Sequence, residues 1–305
     1  MKLDRAYVVG AVVLPLVAAL LWAFYYIFVL AITPGTVPSA VFAYPFLFGG
    51  AAYTGWSLAE GEGPAVVAVW RQPAAYLRVL LLVGMQLSVL ASTYLAGPVD
   101  TSLLSLIGDV VFTPVVVAIW LTSYQGRLDS PVLWAGMALC TVGGGLAIVG
   151  NQGLTALHGW GYVVLVSIPF SVALYFLLTA RENERRPARA VVGQSMLAAG
   201  LVGLVISPWL PGGASGLLVV DPVPWLVLVA TGVTSFFLAP ALYFESIRRA
   251  GLVVPPMMMT GIPVFTALLS WGLLGIAIPW IGILGIPIAV GGALLALRAE
   301  TAPTV

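Results

Sequence analysis

Charge is what this 305-residue chain lacks most: Asp, Glu, Lys and Arg together make up 8% of it. An average soluble domain carries about 25%. A fold this short of charge has no polar exterior to offer water. That excludes a soluble globular enzyme, a disordered segment and a nucleic-acid binder, and it leaves an integral membrane protein. Cysteine is nearly missing too. Cys140 stands alone, so no internal disulfide can form, and with His158 as the one histidine no metal cluster can be assembled. No nucleophile–base pair and no cofactor fingerprint can be read, so neither catalysis nor a cofactor is expected. The net charge of +1 assigns no partner.

What is present is apolar. Hydrophobic residues make up 61% of the chain, and the mean hydropathy is +1.09. Apolar runs are continuous rather than alternating, which favours helices over a β-barrel. A spanning helix needs about 20 mostly apolar residues, and that ruler gives spans over 7–32, 37–58, 76–96, 101–124, 131–150, 158–180, 190–210, 223–246, 252–276 and 279–297. Residues 60–73, with two acids, Arg71 and two prolines, read as a loop or short interfacial helix. The first apolar run is too long for the core of a signal peptide.

The basic residues test this count. With the N-terminus in the cytoplasm, all 12 Lys and Arg fall on the cytoplasmic side, from Lys2 and Arg5 through Arg71, Arg127 and the 181–189 cluster to Arg298. The positive-inside rule thus predicts ten spans, both termini cytoplasmic, in an inner or plasma membrane.

The halves resemble each other. Ala96-Gly97 recurs as Ala250-Gly251, Gly108 with Phe112-Thr113 as Gly261 with Phe265-Thr266, and Gly143-Gly144 as Gly291-Gly292. Five spans is an odd number, so the second half must enter the membrane upside down. The expected architecture is all-α: ten transmembrane helices in two inverted five-helix repeats, 1–150 and 151–305. Such repeats are typical of secondary transporters, with a site near the midplane between them.

Asp109 is the strongest candidate site residue. It lies roughly 13 Å into the fourth span, where a carboxylate costs about 2.5–3.5 kcal/mol and should face a wet or protein interior. Ser102, Ser105, Asp109 and Thr113 follow helical spacing on one stripe. The stripe suits a substrate ammonium or a proton; a buried protonated Asp bonded to a neighbouring helix is the structural alternative. Trp22 and Tyr26 share a face of the first span, Ser171 and Tyr175 a face of the sixth, and Gln86 a face of the third. Met258, on the ninth, would supply adaptable apolar surface. Prolines inside the spans, Pro240 among them, permit kinks that suit helices bending around a central site. Arg78 is the one basic residue placed inside a span, and this scarcity of buried cations disfavours phosphorylated substrates.

The segment Leu242-Tyr-Phe-Glu-Ser-Ile-Arg-Arg-Ala-Gly-Leu-Val-Val-Pro-Pro256, running on to Gly261-Ile-Pro-Val-Phe265, resembles the junction between spans eight and nine in the drug/metabolite transporter superfamily, EamA type. Gln125-Gly126-Arg127-Leu128 resembles that family's Gly-Glu-Arg-Leu turn, with Gln-Gly replacing Gly-Glu. The resemblance implies export of small organic metabolites by alternating access, with amino acids or amphipathic and cationic compounds as the substrate class. Proton coupling through Asp109 and facilitated diffusion both fit the residues. The expected partners are a small organic solute, protons where coupling operates, and the lipid bilayer. A lipid-handling protein or a non-transporting membrane subunit is the alternative reading.

Overall fold

The computed structural model describes residues 8–32, 38–96, 130–149, 160–210, 213–219, 221–251, 254–259, 261–275 and 280–301. Every one of these segments is built around helix. A π-helical turn, Val9–Val13, leads into α1 (Leu14–Ile32). There follow α2 (Pro38–Ala59), the short α3 (Gly63–Trp70) and α4 (Pro73–Ala96). Then come α5 (Pro131–Val149), α6 (Trp160–Asn183) and α7 (Ala188–Ile206). A second π turn, Thr234–Leu238, joins α8 (Pro222–Val233) to α9 (Ala239–Ala250). The chain closes with α10 (Val254–Met258), α11 (Gly261–Leu274) and α12 (Trp280–Thr301). Proline opens α2, α4, α5 and α8. Its missing N–H costs nothing in the first turn, and its fixed φ is already helical.

Among the described residues, five helical stretches are long and apolar enough to cross a bilayer: Val9–Phe28, Pro73–Ala91, Ala188–Trp209, Pro222–Ala250 and Val254–Leu274. The outer faces agree with a lipid surround. Val205, Leu226, Leu80 and Trp280 are all more than 60% exposed, which only an apolar solvent would tolerate at this density. The span expected over 101–124, with Ser105, Asp109 and Thr113, lies outside the described residues. The other expected spans are helical over most of their length. The 60–73 segment folds as α3, held to the start of α7 by Arg189. The Arg189 Nε lies 2.9 Å from Glu62 Oε2 and its Nη2 2.7 Å from Oε1, with the guanidinium 5.0 Å from the Trp56 ring centre.

The two π turns share one cause. Pro15 and Pro240 each lie two residues beyond the last π-helical residue. A proline ring inside an α-helix clashes with the carbonyl four residues back. Those carbonyls belong to Ala11 and Phe236, the middle residues of the two π turns. The wider turn draws them clear of the ring, so each proline is absorbed by a π turn. The price is a carbonyl without an intrahelical partner. In π register the Gly10 carbonyl would accept from the N–H that Pro15 lacks. Ser246 Oγ donates to it instead, at 2.7 Å, from α9. Ser235 Oγ likewise reaches the Leu21 carbonyl at 2.8 Å. The two bonds tie the first π turn and α1 to the π-turned α8–α9 pair. Ser246→Ala should therefore lower stability by about 1–2 kcal/mol, read as a drop in the thermal unfolding midpoint. A midpoint unmoved by this change would mean that the Gly10 carbonyl finds another donor.

Two helix pairs approach through small residues. Between α2 and α7, a Cβ on Gly50 would strike the backbone of Leu197, and one on Gly200 would lie 2.8 Å from the Leu47 nitrogen. A Cβ on Gly193 would lie 2.7 Å from Tyr53 Cβ, and one on Gly203 3.1 Å from Ala43 Cα. Exchanging Gly50 with Gly200, Leu47 with Leu197, Ala43 with Gly193 and Tyr53 with Gly203 carries each contact into another. The pair α5–α12 behaves the same way. A Cβ on Gly136 would lie 2.8 Å from the Gly292 carbonyl oxygen, and one on Gly143 2.7 Å from that of Gly285. These two contacts interchange when Gly136 is swapped for Gly285 and Gly143 for Gly292. Gly291, the sequence match proposed for Gly143, has open space around it. In lipid, where tails are as apolar as leucine, such backbone approach is a main source of helix association. The remaining helices pack as α4 on α6, and as α1 on α9 and α11.

Candidate functional site

Between these pairs lies a cavity of about 90 Å³. Helical periodicity decides what it sees. From α1 come Trp22, Tyr25 and Tyr26, and from α6 Val172, Tyr175 and Phe176, each set within one turn. α4 contributes Leu82, Met85, Gln86 and Val89, spaced by three and four. The π turn brings in Phe236; Pro240 and Phe244 follow on α9, Met196 comes from α7, and Ile262 from α11. The walls are largely aromatic. Phe236 packs at 4.4 Å from Phe46 and edge-on at 5.3 Å from Tyr25. Phe176 lies 4.8 Å from Tyr243, and Trp22 5.4 Å from the same ring.

Among the described lining residues there is no charged side chain. The polar content is Gln86, the three tyrosine hydroxyls and the Trp22 indole N–H. Gln86 is buried and its Nε2 donates to the Tyr25 hydroxyl. Two residues on, Ser88 and Ser167 join α4 to α6 at 2.9 Å. Such walls offer stacking, dispersion and one orienting amide. A drug-sized pocket has roughly 300 Å³ or more, so a solute larger than a few heavy atoms is seated only when the rings part.

Of the residues singled out in the sequence, Trp22, Tyr26, Gln86 and Tyr175 line this cavity. Ser171 does not, although it lies next to Val172 on α6; it is half-buried to one side. Met258 packs elsewhere, with Leu133, Met137, Cys140 and Ala296 along α5 and α12. Asp109, Ser105 and Thr113 fall outside the described residues. Sequence reasoning missed Tyr25, although it follows Trp22 by three residues and carried a readable signal. It also missed Phe236, Phe176 and Phe244. Aromatic residues are common at both membrane surfaces, so residue type alone does not separate lining from belt. Glu245 makes surface ion pairs, at 2.6 Å to both Arg248 Nη2 and Arg249 Nε.

Comparison with known proteins gives the wider setting. No curated protein matches the chain. A solved structure described only as "Crystal structure of protein" shares the fold, with a TM-score of 0.73 and 21% identity, over 95% of this chain and 98% of the other. The family model of the EamA-like transporter family matches residues 159–298. The described residues are all built around helix with a lipid-compatible exterior, which marks an integral membrane protein, and residues 159–298 match the EamA-like transporter family of the drug/metabolite transporter superfamily.

Proposed function

We propose that the protein is a secondary transporter that exports small organic metabolites, amino acids or amphipathic and cationic compounds, by alternating access around the aromatic cavity. The chain would cross an inner or plasma membrane ten times, in two inverted repeats over 1–150 and 151–305, with both termini cytoplasmic. One observation carries this reading: the cavity takes matching contributions from both halves. Trp22, Tyr25 and Tyr26 on α1 have their counterparts in Val172, Tyr175 and Phe176 on α6, and Gln86 on α4 in Pro240 on α9, and all line the cavity. The interchangeable contacts of α2–α7 and α5–α12 support the same two-fold relation. A site on such an axis can open to either side by exchanging the conformations of two like halves. Asp109 is assigned to a proton or to a substrate amine.

The test is solute flux in proteoliposomes with an imposed pH gradient, over a panel of amino acids and organic amines. Gln86→Leu should cut flux about tenfold, the equivalent of one buried hydrogen bond to the solute, with the unfolding midpoint held. Asp109→Asn should remove the dependence of flux on the gradient; an unchanged dependence would strip Asp109 of the coupling role. A protein that moves phospholipid between leaflets and none of the soluble panel belongs to the lipid-handling alternative.

A further inference from the structure

One buried cation is not used by the cavity as described. Arg78 stands on α4 one turn before the lining residue Leu82, and it is 0% exposed. Its Nε, Nη1 and Nη2 make no hydrogen bond to any described residue. The ionisable groups in electrostatic reach are Tyr175, Glu182 and Arg186. Glu182 is ion-paired with Arg186, its Oε1 2.7 Å from Arg186 Nε, although that oxygen accepts no hydrogen bond among the described residues, and none comes from Arg78. Tyr175, within electrostatic reach of this guanidinium, is also a wall of the cavity, and its hydroxyl and that of Thr179 are buried without a hydrogen-bond partner among the described residues.

A guanidinium carries five N–H donors in a planar fork. Burying it with none of them used is costly, because an unsatisfied buried charge loses its hydration without return. Structural arginines avoid that cost by folding onto a carboxylate or onto backbone carbonyls, and Arg78 does neither. The fork matches a carboxylate edge to edge. The local charge count also favours one negative charge: Glu182 and Arg186 offset each other, and Arg78 is left with a single positive charge to balance. A phosphate dianion would exceed it.

We propose that Arg78 is a carboxylate-binding site at the end of the aromatic cavity, so that the protein takes organic acids whose apolar body sits among the rings of Trp22, Tyr25 and Phe236. Tyr175 would turn aside to admit the carboxylate. This rests on the cavity being the solute site.

The experiment is ligand-induced thermal stabilisation of the purified full-length protein. The probes are 3-phenylpropionate, its neutral amide 3-phenylpropanamide, and inorganic phosphate. In the parent the acid should bind about tenfold tighter than the amide, or better, as expected for hydrogen bonds to a charged group. Arg78→Gln should bring the acid down to the level of the amide and leave the amide unchanged, and Arg78→Lys should fall between. The parent alone suffices as a test if the variants fold poorly, because equal binding of acid and amide overturns the site. Acid binding that survives Arg78→Gln overturns it too, while the cavity reading stands. Phosphate binding as tightly as the acid, and competing with it, overturns the carboxylate assignment. If neither aromatic probe binds the parent, the cavity reading fails and the site fails with it.

Discussion

Leucine at Gly143 should lower the thermal unfolding midpoint by roughly 10 °C, the equivalent of about 3 kcal/mol for a chain of this size. Gly143 on α5 faces the backbone of α12, where a Cβ would meet the Ala289 nitrogen and lie 2.7 Å from the Gly285 carbonyl oxygen. Those atoms belong to a helix main chain. They cannot swing aside as a flexible side chain would, so the two helices must separate. Separation also breaks the matching contact of Gly136 with the Gly292 carbonyl, and with it the bond from Cys140 Sγ to the Ala289 carbonyl at 3.4 Å. Van der Waals packing is most of what holds such a pair together in lipid, so the loss is not recovered by burying the larger side chain. Gly291→Leu is the control. That residue lies on α12 with nothing near its missing Cβ, and it should leave the midpoint within about 2 °C of the parent. Equal losses at the two positions would mean that the close approach of α5 to α12 does not govern the response.

Phe236→Ala should cost about 3–4 kcal/mol, the usual range for emptying a buried aromatic site. The ring is 6% exposed and belongs to the same cluster as Phe46, Tyr25 and Tyr243. It also fills part of the cavity, so its removal joins new space to old. A small apolar ligand should then rescue the variant: benzene or indole should raise its midpoint by several degrees, as ligands do when they fill an apolar void. The parent, with about 90 Å³ to offer, should respond to benzene weakly. Differential scanning fluorimetry of both forms, with and without ligand, reads both effects. A variant that loses under about 1 kcal/mol and ignores benzene would place Phe236 at the rim of the cavity, not within its wall.

How much of this could be read beforehand depended on the kind of signal. Helices were legible because the bilayer leaves so few alternatives: every apolar run of spanning length must satisfy its backbone internally. Their starts were legible where Pro38, Pro73, Pro131 and Pro222 stand. The cavity was half legible. Trp22, Tyr26, Gln86 and Tyr175 could be placed on shared faces by spacing alone. Spacing does not say which of several faces turns inward when the surrounding solvent is as apolar as the core. Ser171 was therefore chosen over Val172 because it is polar, although the helix presents its neighbours to the cavity. Met258 was chosen for its chemistry, although its surroundings are α5 and α12. The proposed repeat rests in the sequence on short glycine matches. The contacts correct one of them by a single residue, since Gly292, and not Gly291, answers to Gly143. The Leu47-x-x-Gly50 and Leu197-x-x-Gly200 match went unread because two apolar residues at one spacing are common in any membrane helix.

The π turn at Thr234–Leu238 has a consequence for how this helix can tolerate change in length. A π turn takes in one more residue than the α-turn it replaces, and each residue of an α-helix advances the azimuth by about 100°. The turn therefore acts as a phase setting for everything C-terminal to it. Deleting Leu238, which faces outward, would remove a side chain of little packing value. Pro240 holds the turn open, so the deletion would not be absorbed by closing it and would rotate Tyr243 and Phe244 by about 100°. Both rings would leave Phe176, and Ser246 would swing away from the Gly10 carbonyl. A one-residue deletion in the middle of a lipid-facing helix would thus erase one wall of the cavity without touching any residue that lines it.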